Sequence, residues 1–311
     1  PLGSTGFEVS EIGFGAWAIG GLGYGSVPQE DGIGAVAAYV EAGGRNIDTA
    51  RGYGISEILV GKGLKRVRAG DEVFIASKSG NQHPPAIETD LETSIFCVGR
   101  EVMDLYYIHV PPADEQKLGR MLDKYQQLKD AGRTRLIGVS ATGTPGEGTV
   151  DLVRRMIADG RVDAMMLGYS IAQPLHEEVI AEAKQAGMGI VARTAMGGGL
   201  LTGRYKPGDV FDNPANDGRS NRPQENLDAL LTRVQELGGQ FVRPPYETMG
   251  QVALAWVLAD PNISCVVVGG KNARQVQENI AVAGLPPMDP GMREEISRAA
   301  ADLNALYDWK K

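Results

Sequence analysis

Four side chains set the chemical question. Asp48 closes the short run "NID", Lys78 closes "VFIASK", His109 closes "DLYYIH", and Tyr53 follows Asp48 by five residues in "NIDTARGYGISE". The three run-ending residues recur at intervals of 30 and 31 residues, one strand-and-helix period each. On neighbouring parallel strands, about 4.8 Å apart, they would stand side by side on one rim. Tyr53, in the loop leaving the first of these strands, can fold back over them. A buried lysine beside a carboxylate stays charged, and an ammonium beside a phenol stabilises phenolate. Such a phenol can give a proton to a carbonyl oxygen as it becomes an alkoxide, or take it back in reverse, a contribution of roughly 10²- to 10⁴-fold. His109 would orient the carbonyl by hydrogen bonding. None of the four is an electron source, so a cofactor must supply hydride.

Each residue also has a plainer reading. A strand-end Asp is commonly an N-cap or loop anchor. Lys78 alone would be a solvated strand end, Tyr53 a packed loop aromatic and His109 a satisfied rim histidine. Their coincidence at one rim is the argument for chemistry. Asp48 also tells against a Schiff-base role for Lys78, because it keeps the amine protonated. With three histidines and no closely spaced pair, no metal is expected.

The elements that must position these groups alternate along the chain. Short β-rich runs ("IGFGAW", "NID", "VFIASK", "DLYYIH", "LIGVS", "AMMLGY", "GIVART", "SCVVVG") are separated by stretches with helical spacing. One such stretch puts Leu118, Met121, Leu122, Tyr125 and Leu128 on one face, and another does the same with Leu152, Val153, Met156 and Ile157. Gly132, Gly160 and Gly187 stand where C-cap glycines belong. Eight strands with a helix after each predict a single-domain (β/α)8 TIM barrel over residues 1–311, an α/β fold with its chemistry at the carboxyl ends of the strands. A long polar loop is expected after strand seven, from Gly203 to Arg222, and an extra C-terminal helix from Asp289. No weight is placed on Pro1.

Composition narrows the class. A net charge of -8 and a pI near 5.1 give no electrostatic footprint for nucleic acid or an anionic membrane. Cys97 and Cys265 are far apart and fit no ligand or disulfide framework, and no apolar run reaches bilayer length. These features predict a cytoplasmic protein with a small-molecule substrate. They leave oligomeric state open.

A cofactor site is suggested by Gly197, Gly198 and Gly199 after strand seven and by Gly269 and Gly270 after strand eight. Glycine turns there, leading to a helix N-terminus, commonly bind phosphate. "GFGAWAIGGLG" lacks the spacing and following acid of a Rossmann fingerprint.

The motifs "NIDTARGYGISE", "FIASK", "DLYYIHVPP", "GRTRLIGVS", "GGGLLTGRY" and "QVQEN", in this order, resemble the aldo-keto reductase superfamily from about Leu2 to Ala283. The resemblance implies an NADP(H)- or NAD(H)-dependent oxidoreductase acting on an aldehyde, ketone or sugar hemiacetal, with Tyr53 as acid-base and Asp48, Lys78 and His109 as its partners. It implies cofactor contacts at Ala16, Trp17, Asp48, Ser140, Arg193, Thr194, Ala195, Met196, Gly197, Gly199, Arg204, Gly269, Gly270, Lys271, Gln275, Glu278 and Asn279. Where many members hold the nicotinamide carboxamide with Asn and Gln, this chain has Ala141 and Met166, and Arg193 replaces an aromatic that often stacks on the ring. A Lys-Ser pair of the 2′-phosphate pocket is replaced by Gly269 and Gly270, and an Arg by Gln275. Lys271 and Arg274 remain to meet a phosphate, which favours NADP(H) over NAD(H). Trp17, Tyr24, Tyr53, His83 and His109 are the expected substrate contacts, with the segment from Asp209 to Arg222 and a wall stiffened by Pro111 and Pro112. His176 carries no expected role. The alternative is a nucleotide-binding regulatory or interaction protein on the same scaffold, like the β-subunits of voltage-gated potassium channels.

Overall fold

Strands buried on both faces read as near-continuous apolar runs, and a parallel sheet needs such strands. A computed structural model describes the chain apart from residues 143–146, 175–176, 212–216 and 308–311. His176 and the centre of the loop after strand seven therefore lie outside the described residues. The runs form β1 (Ile12–Gly15), β2 (Asn46–Asp48), β3 (Phe74–Ser79), β4 (Met103–Ile108), β5 (Thr134–Ser140), β6 (Ala164–Gly168), β7 (Gly189–Arg193) and β8 (Cys265–Val268). All pair in parallel in chain order, and β8 returns to β1 to close the barrel.

The crossovers carry α1 (Gln29–Glu41), α2 (Ser56–Arg66), α3 (Pro84–Val98), α4 (Glu115–Asp130), α5 (Glu147–Asp159) and α6 (Glu177–Gln185). Asp114 caps α4 by accepting from the Lys117 amide at 2.9 Å, and the five apolar residues anticipated for this helix are all buried. Gly132, Gly160 and Gly187 take left-handed φ of 69, 75 and 83°, as the cap positions require. Between β7 and β8 the chain places two helices rather than one, α7 (Gln224–Phe241) and α8 (Met249–Leu258). The segment "VRPPYET" separates them, since a Pro pair cannot continue a helix. After β8 come α9 (Ala273–Ile280), α10 (Pro290–Ala299) and α11 (Leu303–Tyr307). The expected single tail helix is thus two. The turn at Ala300 lets Leu303 bury and carries the Leu306 and Tyr307 carbonyls to Arg222, at 3.3 and 2.6 Å.

Strand side chains alternate between two cores. Ile75, Tyr106, Ile137, Met165, Ile190 and Val266 point outward and pack with the helices. Phe74, Ala76, Leu105, Tyr107, Leu136, Ala164, Met166 and Val191 fill the barrel. Leu2, left without a role above, is 1% exposed and stops the lower end of this inner core, with Phe7 and Val9 beside it. No helix among the described residues is long and apolar enough to cross a membrane.

Candidate active site

The inner alternation decides what reaches the mouth. Two positions beyond Ala76 is Lys78, two beyond Tyr107 is His109, and two beyond Val191 is Arg193. Asp48 and Ser140 end β2 and β5. The register pairs Asp48 with Ala76 and Lys78 with Tyr107, and the His109 amide donates to the Ser79 carbonyl at 2.9 Å. These side chains therefore converge at the carboxyl end of the barrel, where this fold places chemistry.

Lys78 is fully buried. Its Nζ donates to Asp48 Oδ1 at 2.5 Å, to the Thr49 carbonyl at 2.7 Å and to the Tyr53 hydroxyl at 3.3 Å. Tyr53 stands between two rings, edge-on to Trp17 at 4.7 Å and to His109 at 5.6 Å. Burial alone would pull the Lys78 pKa down. The Asp48 carboxylate and the Tyr53 oxygen outweigh it, so Lys78 is held above the ordinary lysine value and stays an ammonium. Burial pushes Asp48 up, and the charge and hydrogen bond of Lys78 oppose that push. Burial and the nearby cations Lys78 and Arg193 lower His109 to about 3, so it is a neutral imidazole at physiological pH.

The loop that carries Tyr53 is fixed from several sides. The Arg51 amide extends the β3 pairing by donating to the Lys78 carbonyl at 3.0 Å. Glu57, 2% exposed, is held by Arg51 and by the Ser77 hydroxyl at 2.6 Å. Ser56 Oγ reaches the Ala16 carbonyl at 2.9 Å. Against this loop packs a 3₁₀ helix, Ala16–Gly20, in which a Cβ at Gly20 would lie 1.9 Å from the Tyr53 carbonyl oxygen. Only glycine admits that approach. Arg51, Glu57 and Gly20 were not singled out in the sequence, although Arg51 and Glu57 flank Tyr53 within its own motif.

The other side of the mouth suits a dinucleotide. Gly197, Gly198 and Gly199 have φ of 56, 67 and 91°, which side chains other than glycine rarely take. Beyond β8, Gly269 and Gly270 lead to α9, whose N-cap Asn272 accepts from the Gln275 amide at 3.0 Å. Gln275 also accepts from the Lys271 amide, and Asn279 donates to the Gly269 carbonyl at 3.1 Å. Burial, then Arg219 and Arg204, hold Lys271 below the ordinary lysine value against the pull of Asp217. That cation cluster fits an incoming phosphate. Glu278 pairs with Arg274 at 3.3 Å on the exposed face of α9.

A strap crosses this mouth. Tyr24 bridges Asp217, and the Gly218 amide donates to the Gly23 carbonyl at 3.0 Å. Arg219 locks the crossing. It holds Asp217 through Nε at 2.9 Å and Nη2 at 2.5 Å, and its guanidinium lies 5.2, 5.1 and 4.1 Å from the rings of Tyr24, Tyr205 and Phe211. Lys271 Nζ donates to the Tyr24 carbonyl from below. Arg219 falls in the segment expected to line the pocket, but its role as a clasp had no sequence signal beyond the aromatics scattered around it.

The structure thus gathers Trp17, Asp48, Tyr53, Lys78, His109, Ser140 and Arg193 at one mouth. Thr194, Ala195 and Met196 continue from β7 into the glycine turn, Thr194 with a positive φ of 59°. Ser140 Oγ is paired with Thr142 at 2.8 Å. Ala141 and Met166 are buried without side-chain polarity to offer, and the Ala141 carbonyl instead meets Arg193 at 3.4 Å. His83 is exposed at the start of α3, and its neighbour Gln82 binds the Val110 carbonyl at 3.2 Å. His83 makes no hydrogen bond to the tetrad among the described residues. Arg204 is exposed.

A closed parallel barrel with ionisable groups concentrated at its carboxyl end, beside glycine turns flanked by basic residues, belongs to the TIM-barrel class. Comparison with known proteins is more specific. A family model described as "Aldo/keto reductase family" matches residues 11–300. The chain is 33% identical to aldo-keto reductase str7 of Strobilurus tenacellus, over 89% of this chain and 85% of that protein. It is 26% identical to the NADH-specific methylglyoxal reductase of Escherichia coli (strain K12), over 96% and 98%. Aldo-keto reductase AKR11C1 from Bacillus halodurans, in its holo form, superposes with a TM-score of 0.76 at 23% identity, covering 96% of this chain and 94% of that one. The chain belongs to the aldo/keto reductase family. Its members use nicotinamide cofactors, and its class is oxidoreductase.

Proposed function

We propose that this chain transfers hydride between NAD(P)(H) and an aldehyde, ketone or sugar hemiacetal, with Tyr53 as general acid and base. The observation that carries this reading is the Lys78 ammonium, which joins Asp48 to the Tyr53 hydroxyl at 2.5 and 3.3 Å. When bound, the nicotinamide cofactor supplies or accepts the hydride. Tyr53 gives its proton to the carbonyl oxygen in reduction, and Lys78 stabilises the phenolate left behind. Asp48 keeps Lys78 charged. His109, neutral, can donate one hydrogen bond to the same carbonyl oxygen and so fix its direction. Trp17 and Tyr24 would form walls that exclude water from the reacting atoms, and His83 is the remaining expected substrate contact.

Gly197, Gly199, Gly269, Gly270 and the basic cluster would hold the phosphates, with Gln275, Glu278 and Asn279 on the α9 side. NADP(H) is favoured over NAD(H), because Lys271 and Arg274 remain to meet a 2′-phosphate, with Arg219 and Arg204 adding positive charge beside Lys271. Replacing Lys271 with Ala should weaken NADPH more than NADH, measured by titration of each. Equal losses would remove Lys271 from that role.

The main test is turnover followed at 340 nm with a panel of carbonyls and alcohols. Tyr53→Phe should lose roughly 10²- to 10⁴-fold in kcat while cofactor affinity stays within a few-fold. Tight cofactor binding with no turnover by the unaltered protein would replace this reading with a nucleotide-regulated interaction protein.

A further inference from the structure

Arg193 ends β7 on the inner side of the barrel, in step with Val191 below it. Its Nη2 meets the Ala141 carbonyl at 3.4 Å, while its Nε is buried and has no partner among the described residues. The guanidinium rests over Gly168, where an added Cβ would lie 3.8 Å from Cζ. Three of the tetrad feel its charge: Asp48, Tyr53 and His109. The phenols Tyr24 and Tyr307 also act on it, and Asp48 is the carboxylate that does.

That carboxylate is already engaged by Lys78 at 2.5 Å. His109 contributes no charge at neutral pH. Asp48, Lys78 and Arg193 together leave one positive charge uncompensated at the base of the mouth, in surroundings that screen it poorly.

We propose that Arg193 makes this site discriminate between the two redox forms of the cofactor, binding the reduced form more tightly than the oxidised one. The inference rests on the oxidoreductase reading above. A carbonyl that takes a proton from Tyr53 takes hydride on the adjacent carbon, so the nicotinamide ring must come within about 7 Å of the Tyr53 hydroxyl. The oxidised ring carries a formal positive charge, and the reduced ring carries none. Arg193 acts on Tyr53 itself, so a ring beside that phenol stands in the field of the same guanidinium. For scale, unit charges about 7 Å apart at an effective dielectric constant near 20 repel strongly enough to separate the affinities by roughly tenfold or more.

The reaction this bias favours is alcohol oxidation. The carbinol C–H bond breaks with its electron pair going to the oxidised ring, the hydroxyl proton passes to Tyr53, and carbonyl, reduced cofactor and one proton result. Removal of the ring's positive charge relieves its repulsion with Arg193. The bound cofactor is therefore a stronger oxidant than the same cofactor in water.

The test is a pair of binding titrations, following the protein's tryptophan fluorescence with NAD⁺ and NADH and again with NADP⁺ and NADPH. In the unaltered protein the oxidised form should show a Kd at least about tenfold higher than its reduced partner. Arg193→Gln should bring that ratio down about tenfold, and Arg193→Lys should retain most of it. Because the ratio is internal to each protein, loosening of the fold that weakens both forms alike does not mimic the effect. A ratio of one or less in the unaltered protein overturns the proposal without any variant. So does an unchanged ratio in Arg193→Gln, or an equal fall in Arg193→Lys. Failure of every nicotinamide nucleotide to bind the unaltered protein instead removes the oxidoreductase reading itself, and this inference with it.

Discussion

A buried ammonium is tolerated only when its charge has a partner and its protons have acceptors. Lys78 meets both conditions through Asp48, Thr49 and Tyr53, and nothing on its nitrogen is left to attack a carbonyl carbon. That arrangement explains why an acid can end a buried strand: the next strand neutralises it. His109 follows the opposite logic. Its pKa is lowered from 6.5 to about 3, so the folded protein resists a proton that the unfolded chain accepts below about 6.5. The stabilisation linked to this group is complete above pH 6.5 and is lost as pH falls toward 3. Urea unfolding at pH 7.0 and 4.5 should show the unaltered protein losing more stability on acidification than His109→Gln. An equal loss in both would mean that His109 titrates normally. For the same reason kcat/KM should show no limb near pH 6.5 that disappears in His109→Gln.

At the scale of elements, the barrel strands were legible because two-sided burial writes itself as apolar runs, and because each ionisable residue at the mouth sits at a strand's carboxyl end, one period from the next. The tetrad followed from that spacing. Close approaches were not legible. Gly20 reads as one glycine among several in "GFGAWAIGGLG", yet a methyl group there would press on the Tyr53 carbonyl oxygen. Gly20→Ala should therefore shift the loop between β2 and α2 and reduce kcat by roughly 10²-fold, the scale for a misplaced catalytic group. If kcat holds while the crystal structure shows Tyr53 unmoved, this packing does not position the phenol. The second helix between β7 and β8 was missed although its signal, the Pro pair in "VRPPYET", is local; the break in the tail has no such signal and follows from contacts with α7 and Arg222, remote in the chain. Arg193 was legible as a residue, but its lack of an anion partner depends on Asp48 and Lys78, which are remote in the chain.

Across the whole molecule, the ends of eight strands meet at a mouth that is closed by contacts far apart in sequence. Arg219 draws the loop after β7 across to Tyr24 and donates to the Gly198 carbonyl at 3.3 Å, so the crossing rests on the glycine turn proposed to hold the nucleotide. Arg219→Ala removes the Asp217 pair and the contacts with three rings. It should raise the cofactor dissociation rate about tenfold, on the scale of one to two kcal/mol for partly buried cation–π contacts. It should also speed proteolytic cleavage between residues 203 and 222 in the nucleotide-free protein. Stopped-flow displacement reads the first effect and limited proteolysis the second. An unaltered dissociation rate would mean that the crossing does not retain the nucleotide.

The lower end of the barrel imposes an order on its own assembly. Leu2 seats among Phe74, Leu105, Leu136 and Val191, and a Cβ at Gly189 would collide with the Leu2 side chain at 2.5 Å. Residue 2 leaves the ribosome long before residue 191, so this cork exists before the neck of its bottle. During synthesis Leu2 must wait, solvated or held by transient neighbours, until β7 emerges, so the floor cannot be sealed before most of the barrel has been made.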